Sequence, residues 1–299
     1  MKIIMTGATG FIGHNLLSIL TNSDEGNTVF AVARRMPNDA HPAINWIIAD
    51  LGMPDWTTSL PNEDFDAVIH LAQSKHYREF PIRANDIVSI NVNATIELAS
   101  WALRHSVKRF LFASTGSVYG SKDCVHREED RCNPETMYGA SKLAAEILLK
   151  PYSEFMHILA LRLFGVYGPG QVDAILPIVI QRFNMSNEIT LAGNIGVRFN
   201  PIYVTDCASA IHRLTTAPAS SGYEALNIGG SELTDLRKIS ELLECFGNKK
   251  ALTRITADCP KKLVGSNEKL LQLYGLTQTV PFHEGLRRTF DSFKDKGSE

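Results

Sequence analysis

Short apolar runs with few polar interruptions recur along the first half of the chain: KIIM (2–5), VFAVA (29–33), NWIIA (45–49), AVIHLA (67–72), RFLFAS (109–114) and ILALRLF (158–164). Runs of this length without strict alternation are expected of strands buried on both faces. The stretches between them keep a different period. Ile87, Ile90, Ala94, Leu98 and Ala102 recur every three or four residues, as do Leu143, Ile147 and Leu148. That is the spacing of one helix face. Alternating strand and helix predicts an α/β fold, a Rossmann-like doubly wound parallel sheet.

Beyond residue 164 the alternation weakens. GVYGPGQ (165–171) is a Gly/Pro break, DAILPIVIQRFNM (173–185) reads as a helix, and EITLAG (188–193) contains a short strand. NPIYVTDCASAIHRL (200–214) reads as strand, Asp-containing turn and helix; ALNIG (225–229) reads as a further buried strand. The remainder is helix-rich to about Phe293, with KDKGSE (294–299) frayed. The expected division is a dinucleotide-binding domain of residues 1–163 plus 200–229. A smaller, helix-rich substrate domain takes residues 164–199 plus 230–299.

Composition narrows the class. The 299 residues carry a net charge of −2 with 44% hydrophobic residues, and the mean hydropathy is −0.07. No basic stripe points to nucleic acid, and no apolar stretch is long enough to span a membrane. MKIIMTGATG has too short an apolar run for a targeting segment. The five cysteines (Cys124, Cys132, Cys207, Cys245 and Cys259) form no CxxC pair. They read as reduced thiols of a cytoplasmic protein, with no metal site expected.

Chemistry enters at TGATGFIG (6–13), between the first strand and a helix starting near Phe11. Gly7, Gly10 and Gly13 would let a dinucleotide's diphosphate approach the backbone at a helix N-terminus, flanked by Thr9, Phe11 and Ile12. The second strand ends in Ala33, where an acid would select NAD; Arg34 and Arg35 follow. Arginines there can clamp a 2′-phosphate, so the expected cofactor is NAD(P), leaning to NADP. Asp50, with Leu51, is a candidate for the adenine end. Leu71 and Ala72 end the fourth strand beside the pyrophosphate, and His70 reads as a packed strand histidine. Trp101 reads as helix packing and HREED (126–130) as a solvated loop.

ASTGSVYG (113–120) and YGASK (138–142) supply the reactive groups. Tyr138 and Lys142, at i and i+4, share a helix face. An ammonium beside a phenol favours phenolate, so Lys142 is expected to draw the tyrosine pKa toward neutrality. Thr115, at the end of the fifth strand, can hold or relay the same proton. The combination suits hydride transfer at an alcohol carbon with proton transfer at its oxygen.

These motifs resemble the extended short-chain dehydrogenase/reductase family, its NAD-dependent epimerase/dehydratase group, over nearly the whole chain. TGATGFIG is similar to that family's glycine loop, VIHLA (68–72) to its fourth strand, and NVNAT (91–95) to a helix placing Asn91 near the cofactor. ASTGSVYG is similar to its catalytic strand, with Ser114 beside Thr115, and YGASK to its acid/base tyrosine and ribose-binding lysine. The resemblance implies Tyr138, Lys142 and Thr115 as catalytic. It also implies Ser74, His76, Tyr77, Gly116 and Arg198 as substrate contacts. Gly116 and Ser117 stand where the dehydratases of this group carry Asp-Glu, which argues against water elimination. Gly165 stands where the epimerases carry a sugar-nucleotide asparagine.

The expected activity is a sugar-nucleotide epimerase acting at C4. An NADPH-dependent 4-ketoreductase and a non-catalytic NADP-sensing interaction protein are the alternatives. The resemblance further implies a homodimer built on helices around 86–104 and 137–156.

Overall fold

The computed structural model of the chain describes residues 1–22, 26–218, 221–276 and 278–295. The apolar runs become β1 (Lys2–Thr6), β2 (Thr28–Ala33), β3 (Ile44–Ile48), β4 (Ala67–His70) and β5 (Arg109–Thr115). The strands His157–Leu163 and Tyr223–Ile228 follow. All seven join one parallel sheet in the order Tyr223–Ile228, His157–Leu163, β5, β4, β1, β2, β3. Thr6 lies opposite Val32 on one side and His70 on the other, so the carboxyl ends of β1, β2 and β4 are level. The strand order reverses at β1 and β4, and such sheets open a crevice beyond the strand ends at that point. Every residue of β5 is buried, which is why its sequence shows no alternation.

Helices α1 (Phe11–Asn22), α2 (Ala84–Val88), α3 (Ala94–Arg104) and α4 (Met137–Leu149) accompany these strands. Leu98 and Trp101 of α3 and Ala145 and Leu149 of α4 share a core with Phe110 and Phe112 of β5, which holds α4 against the strand. Trp101 is buried, its ring 5.4 Å from Phe65, as expected of a packing residue. The single helical period read over residues 87–102 is interrupted. A π-type turn, Ser89–Asn93, separates α2 from α3. It keeps Ile87 and Leu98 buried while also turning Asn91 inward. One extra residue per turn resets the helix phase, and such turns mark functional segments.

The chain forms two compact units: Met1–Gly120, Arg131–Arg162 and Ala208–Leu226, and then Ser121–Asp130, Leu163–Cys207 and Asn227–Glu299. These differ from the expected boundaries. Residues 121–130 belong to the second unit because Val125–His126 pairs with Lys262–Gly265. Residues 200–207 and 227–229 belong there too. The Asn200 amide donates to the Gly230 and Gly265 carbonyls (both 2.9 Å), and Asn267 Oδ1 accepts from Gly229 N (3.0 Å).

The second unit contains short strands as well as helices. One four-stranded sheet runs Thr234–Asp235, Arg198–Phe199, Lys262–Gly265, Val125–His126, and Thr253–Thr256 pairs with Ile189–Ala192. NPIYVTD makes only an isolated bridge, Tyr167 to Tyr203, before the helix Val204–Thr216 begins. Asp206 therefore sits in a first helical turn, not in a loop; it accepts from Thr279 N (3.1 Å) and Val280 N (3.0 Å). HREED is not simply solvated. His126 is buried in a strand, and Glu128 accepts from Asn227 N at 2.8 Å. The last helix runs Phe282–Asp295, past the expected end near Phe293; residues 296–299 lie outside the described residues.

Candidate active site

The glycine loop closes on itself: Gly10 N donates to Gly7 O (3.0 Å) and His14 N to Gly10 O (2.8 Å), starting α1. Gly7 has φ +72°, and a Cβ there would lie 2.6 Å from Ala72 N. A Cβ at Gly13 would lie 2.1 Å from Gly7 O. Both glycines are demanded by the protein's own packing, and Gly7 sets the loop against Leu71 and Ala72 beyond β4. Gly10 is different. It is exposed, and a Cβ there would meet only Gly7 O, at 3.1 Å. Glycine at that position leaves an open backbone at a helix N-terminus, the surface a dinucleotide diphosphate requires. The residues present therefore fit an NAD(P) cofactor. Thr9 is exposed, Phe11 and Ile12 half-buried. Arg34 and Arg35 are exposed directly after β2. Asp50 is exposed two residues past β3 and turns the chain by accepting from Gly52 N (3.0 Å); Leu51 packs on the core.

Thr115 ends β5, and its hydroxyl accepts from Ser117 N (3.2 Å), opening the turn Gly116–Tyr119. Thr136 caps α4 by accepting from Gly139 N (3.1 Å), as N-cap threonines do. This cap places Tyr138 in the first turn of α4, where Thr115 hydrogen-bonds its phenol. The phenol donates to Gln73 Oε1 (3.1 Å), and the Tyr77 ring lies 5.0 Å from the Tyr138 ring. Thr115, Gly116, Tyr138 and Tyr77 are thus brought together.

The electrostatics correct one expectation. Burial pushes the Tyr138 phenol up to about 12; the Thr115 hydrogen bond opposes this, Tyr77 adds to it, and Arg78 opposes it. Lys142 does not activate the phenol. Its Nζ donates to Ala113 O (2.8 Å) and lies 4.9 Å from the Phe112 ring centroid. Burial pushes Lys142 down to about 7, with the Glu146 charge opposing. At i+4 the two side chains share a face, but the ammonium is taken up by the Ala113 carbonyl while the phenol is held by Gln73 and Thr115.

His70 is a packed strand histidine, as read: Nδ1 meets Thr6 Oγ1 at 2.5 Å and Nε2 meets Thr95 Oγ1 at 2.9 Å. Burial, helped by Lys142, pushes it down to about 3. Ser74, expected to meet substrate, is buried. Its hydroxyl bonds Asp86 and accepts from His76 N (3.0 Å), because the loop after β4 must be tied to α2. Asn91, expected at the cofactor, is likewise used within the protein: it accepts from Ser74 N (2.8 Å) and donates to Ser141 Oγ (3.0 Å). Ser141 in turn donates to Tyr138 O (2.8 Å), so Asn91 braces the first turn of α4. His76 pairs with Glu79 (2.7 Å), and Arg198 is half-buried in the second unit.

Behind the site lies a charged cluster that the sequence reading missed. Glu146 accepts from Arg162 Nη2 (2.7 Å), from Tyr223 Oη (3.0 Å) and from Ser114 Oγ. Arg162 Nη1 also donates to Tyr119 Oη (2.8 Å). Glu146 is 1% exposed and Arg162 5%. Removing one partner of such a pair leaves a buried charge at a cost of roughly 3–5 kcal/mol. Ser114, expected at the cofactor, belongs to this cluster. The visible signals were a glutamate on the apolar face of YGASKLAAE and an arginine inside ILALRLF.

One cluster of ligating side chains lies in the second unit. Cys124, His126 and Asp130 bring three ligating atoms within 4.8 Å, although Lys122 and Lys262 act on His126 and oppose a cation there.

The family model for the NAD dependent epimerase/dehydratase family matches residues 3–229. An uncharacterized UDP-glucose epimerase of Bacillus subtilis is 30% identical over 267 residues, covering 84% of this chain and 84% of that protein. Among solved structures, MoeE5 in complex with UDP-glucuronic acid and NAD matches with a TM-score of 0.86 at 26% identity, covering 99% of this chain and 100% of that one. UDP-glucuronic acid 4-epimerase from Bacillus cereus, in complex with UDP-glucuronic acid and NAD, matches with a TM-score of 0.86 at 27% identity, with 99% and 100% coverage. No helix among the described residues is long and apolar enough to cross a membrane.

Proposed function

Because the chain belongs to the NAD dependent epimerase/dehydratase family, we propose that it is a sugar-nucleotide epimerase acting at C4 of the sugar. The observation that carries this reading is the Tyr138 phenol, hydrogen-bonded by Thr115 at the carboxyl end of β5. A bound nicotinamide supplies a reversible hydride acceptor. As the phenolate, a form that the positive charge of an oxidised nicotinamide would favour when bound, Tyr138 would take the proton of the C4 hydroxyl and later return it; Thr115 would orient that oxygen. The loop shaped by the packing of Gly7 and Gly13 would hold the cofactor's diphosphate at the open backbone of Gly10 with Thr9, Phe11 and Ile12, Lys142 would hold a ribose, and Arg34 and Arg35 would favour NADP. Tyr77, His76 and Gly116 would meet the sugar. With Gly116 and Ser117 after Thr115, the acid and base that water elimination needs are absent from those two positions.

Arg34 and Arg35 also favour a second reading, one-way reduction of a 4-keto sugar nucleotide by NADPH. We place a homodimer on α3 and α4. Leu103, Ile147 and Leu148 are exposed there, 40%, 54% and 47% respectively, and a partner would cover them.

The test is incubation of the purified protein with UDP-glucose and with UDP-glucuronic acid, followed by proton NMR. Interconversion of C4 epimers without net consumption of cofactor supports the first reading. Stoichiometric loss of reduced-nicotinamide absorbance with a keto-sugar nucleotide supports the second.

A further inference from the structure

We propose that Glu146 is a positioning residue for the Tyr138–Lys142–Thr115 group, acting through Ser114 and Lys142 and never on a substrate. The proposal rests on the reading that this group does the chemistry. Its geometric basis is a two-point grip of α4 on β5. Lys142 donates to the carbonyl of Ala113, and Glu146, one helical turn later, accepts from the hydroxyl of Ser114. Consecutive strand residues are therefore held by side chains of opposite charge, and the next residue is Thr115. Phe112 and Ser114, two apart and on one strand face, present to α4 the ring beneath Lys142 and the hydroxyl held by Glu146.

The charged and titratable groups around Lys142 are few. From its own helix come Tyr138 and Glu146, and from β4 comes His70, which burial keeps neutral. β5 contributes the Phe112 ring and a carbonyl. Glu146 is the carboxylate whose charge acts on the lysine. Glu146 is itself held from three directions, by Arg162, by Tyr223 and by Ser114, with Tyr119 holding the far side of Arg162. A carboxylate so constrained cannot swing away from Lys142 when ligands enter. Both outputs of the grip, the placement of Thr115 and the protonated state of Lys142, therefore depend on a residue remote from any substrate.

The experiment uses full-length protein labelled with 13C at lysine Cε, with Lys142 identified by the loss of its resonance in K142R. Because Glu146→Gln alone strands Arg162, the deciding variant is E146Q/R162M, which removes both charges. E146D, which keeps the carboxylate, is its control. The Lys142 titration midpoint is expected to fall by about one pH unit in the double variant and to hold in E146D. The alkaline limb of kcat/KM should move to lower pH with it, while KM for the sugar nucleotide stays constant. A midpoint that stays at its wild-type value in E146Q/R162M overturns the proposal. The NMR readout needs no turnover, so a wild type that converts no sugar nucleotide defeats the functional reading alone and leaves the Glu146 result legible.

Discussion

The two units use buried polar groups in different ways. The first buries His70 and Arg162 on strands, Asn91 in the π-type turn and Lys142 and Glu146 on α4, and every one of them bears on α4 or on the strand ends beneath it. The second is built on an aromatic core, including Phe183, Phe246, Phe282 and Phe290. Two of its buried polar side chains secure loops: Asn200 ties Gly230 and Gly265, and Asp206 ties Thr279 and Val280. Burial of charge is costly unless paired, so a fold concentrates it where chemistry or precise placement repays the cost. The contrast separates a unit whose polar interior braces the proposed reactive groups from one whose polar interior ties loops.

Three substitutions would break or sharpen this contrast. The largest effect is expected from Tyr138→Phe, which removes from the first unit the phenol proposed to transfer the proton. Turnover should drop by roughly 10²–10⁴-fold, with the circular-dichroism melt unchanged. A variant keeping most of its turnover would remove the phenol from the mechanism. Next is Phe290→Ala in the second unit. Phe290 is 1% exposed, with its ring centroid 6.0 Å from Phe183 and 5.9 Å from Phe246. Truncation should cost about 3–5 kcal/mol in urea denaturation. A loss below about 1 kcal/mol would mean this core is loosely packed.

The smallest effect concerns Lys142. Its folded pKa of about 7 lies below the ordinary 10.5. Between these values the unfolded chain binds more protons than the folded one, so stability should rise with pH from 7 toward 10.5. The slope should reach at most about 1.4 kcal/mol per pH unit, and this contribution is lost as pH falls through 7. Urea melts between pH 7 and 9 should show the rise in wild type and not in Lys142→Met. Equal slopes would mean the lysine is solvated.

Much of this was legible in one dimension. Near-continuous apolar runs reported strands buried on both faces, and a three-to-four-residue period reported the helices between them, because burial selects residues locally. The glycine loop was legible because Gly7 needs a positive φ and Gly13 close packing, and few other residues permit either. Tyr138, Lys142 and Thr115 were legible as residue types at telling positions.

The electrostatic relations among these residues were decided by tertiary packing alone. Helical spacing put Lys142 on the face of Tyr138, but only the strand beneath α4 sent the ammonium to Ala113 O and left Gln73 and Thr115 on the phenol. Ser74, Asn91 and Ser114 looked like ligand contacts by position, and packing spent them on Asp86, Ser141 and Glu146. The π-type turn that points Asn91 inward has no signature in the apolar period that runs through it. A sequence states which groups a chain owns and which local conformations they favour. Which of them meet, and what charge each can carry there, depends on distance and burial, and those exist only once the chain has folded.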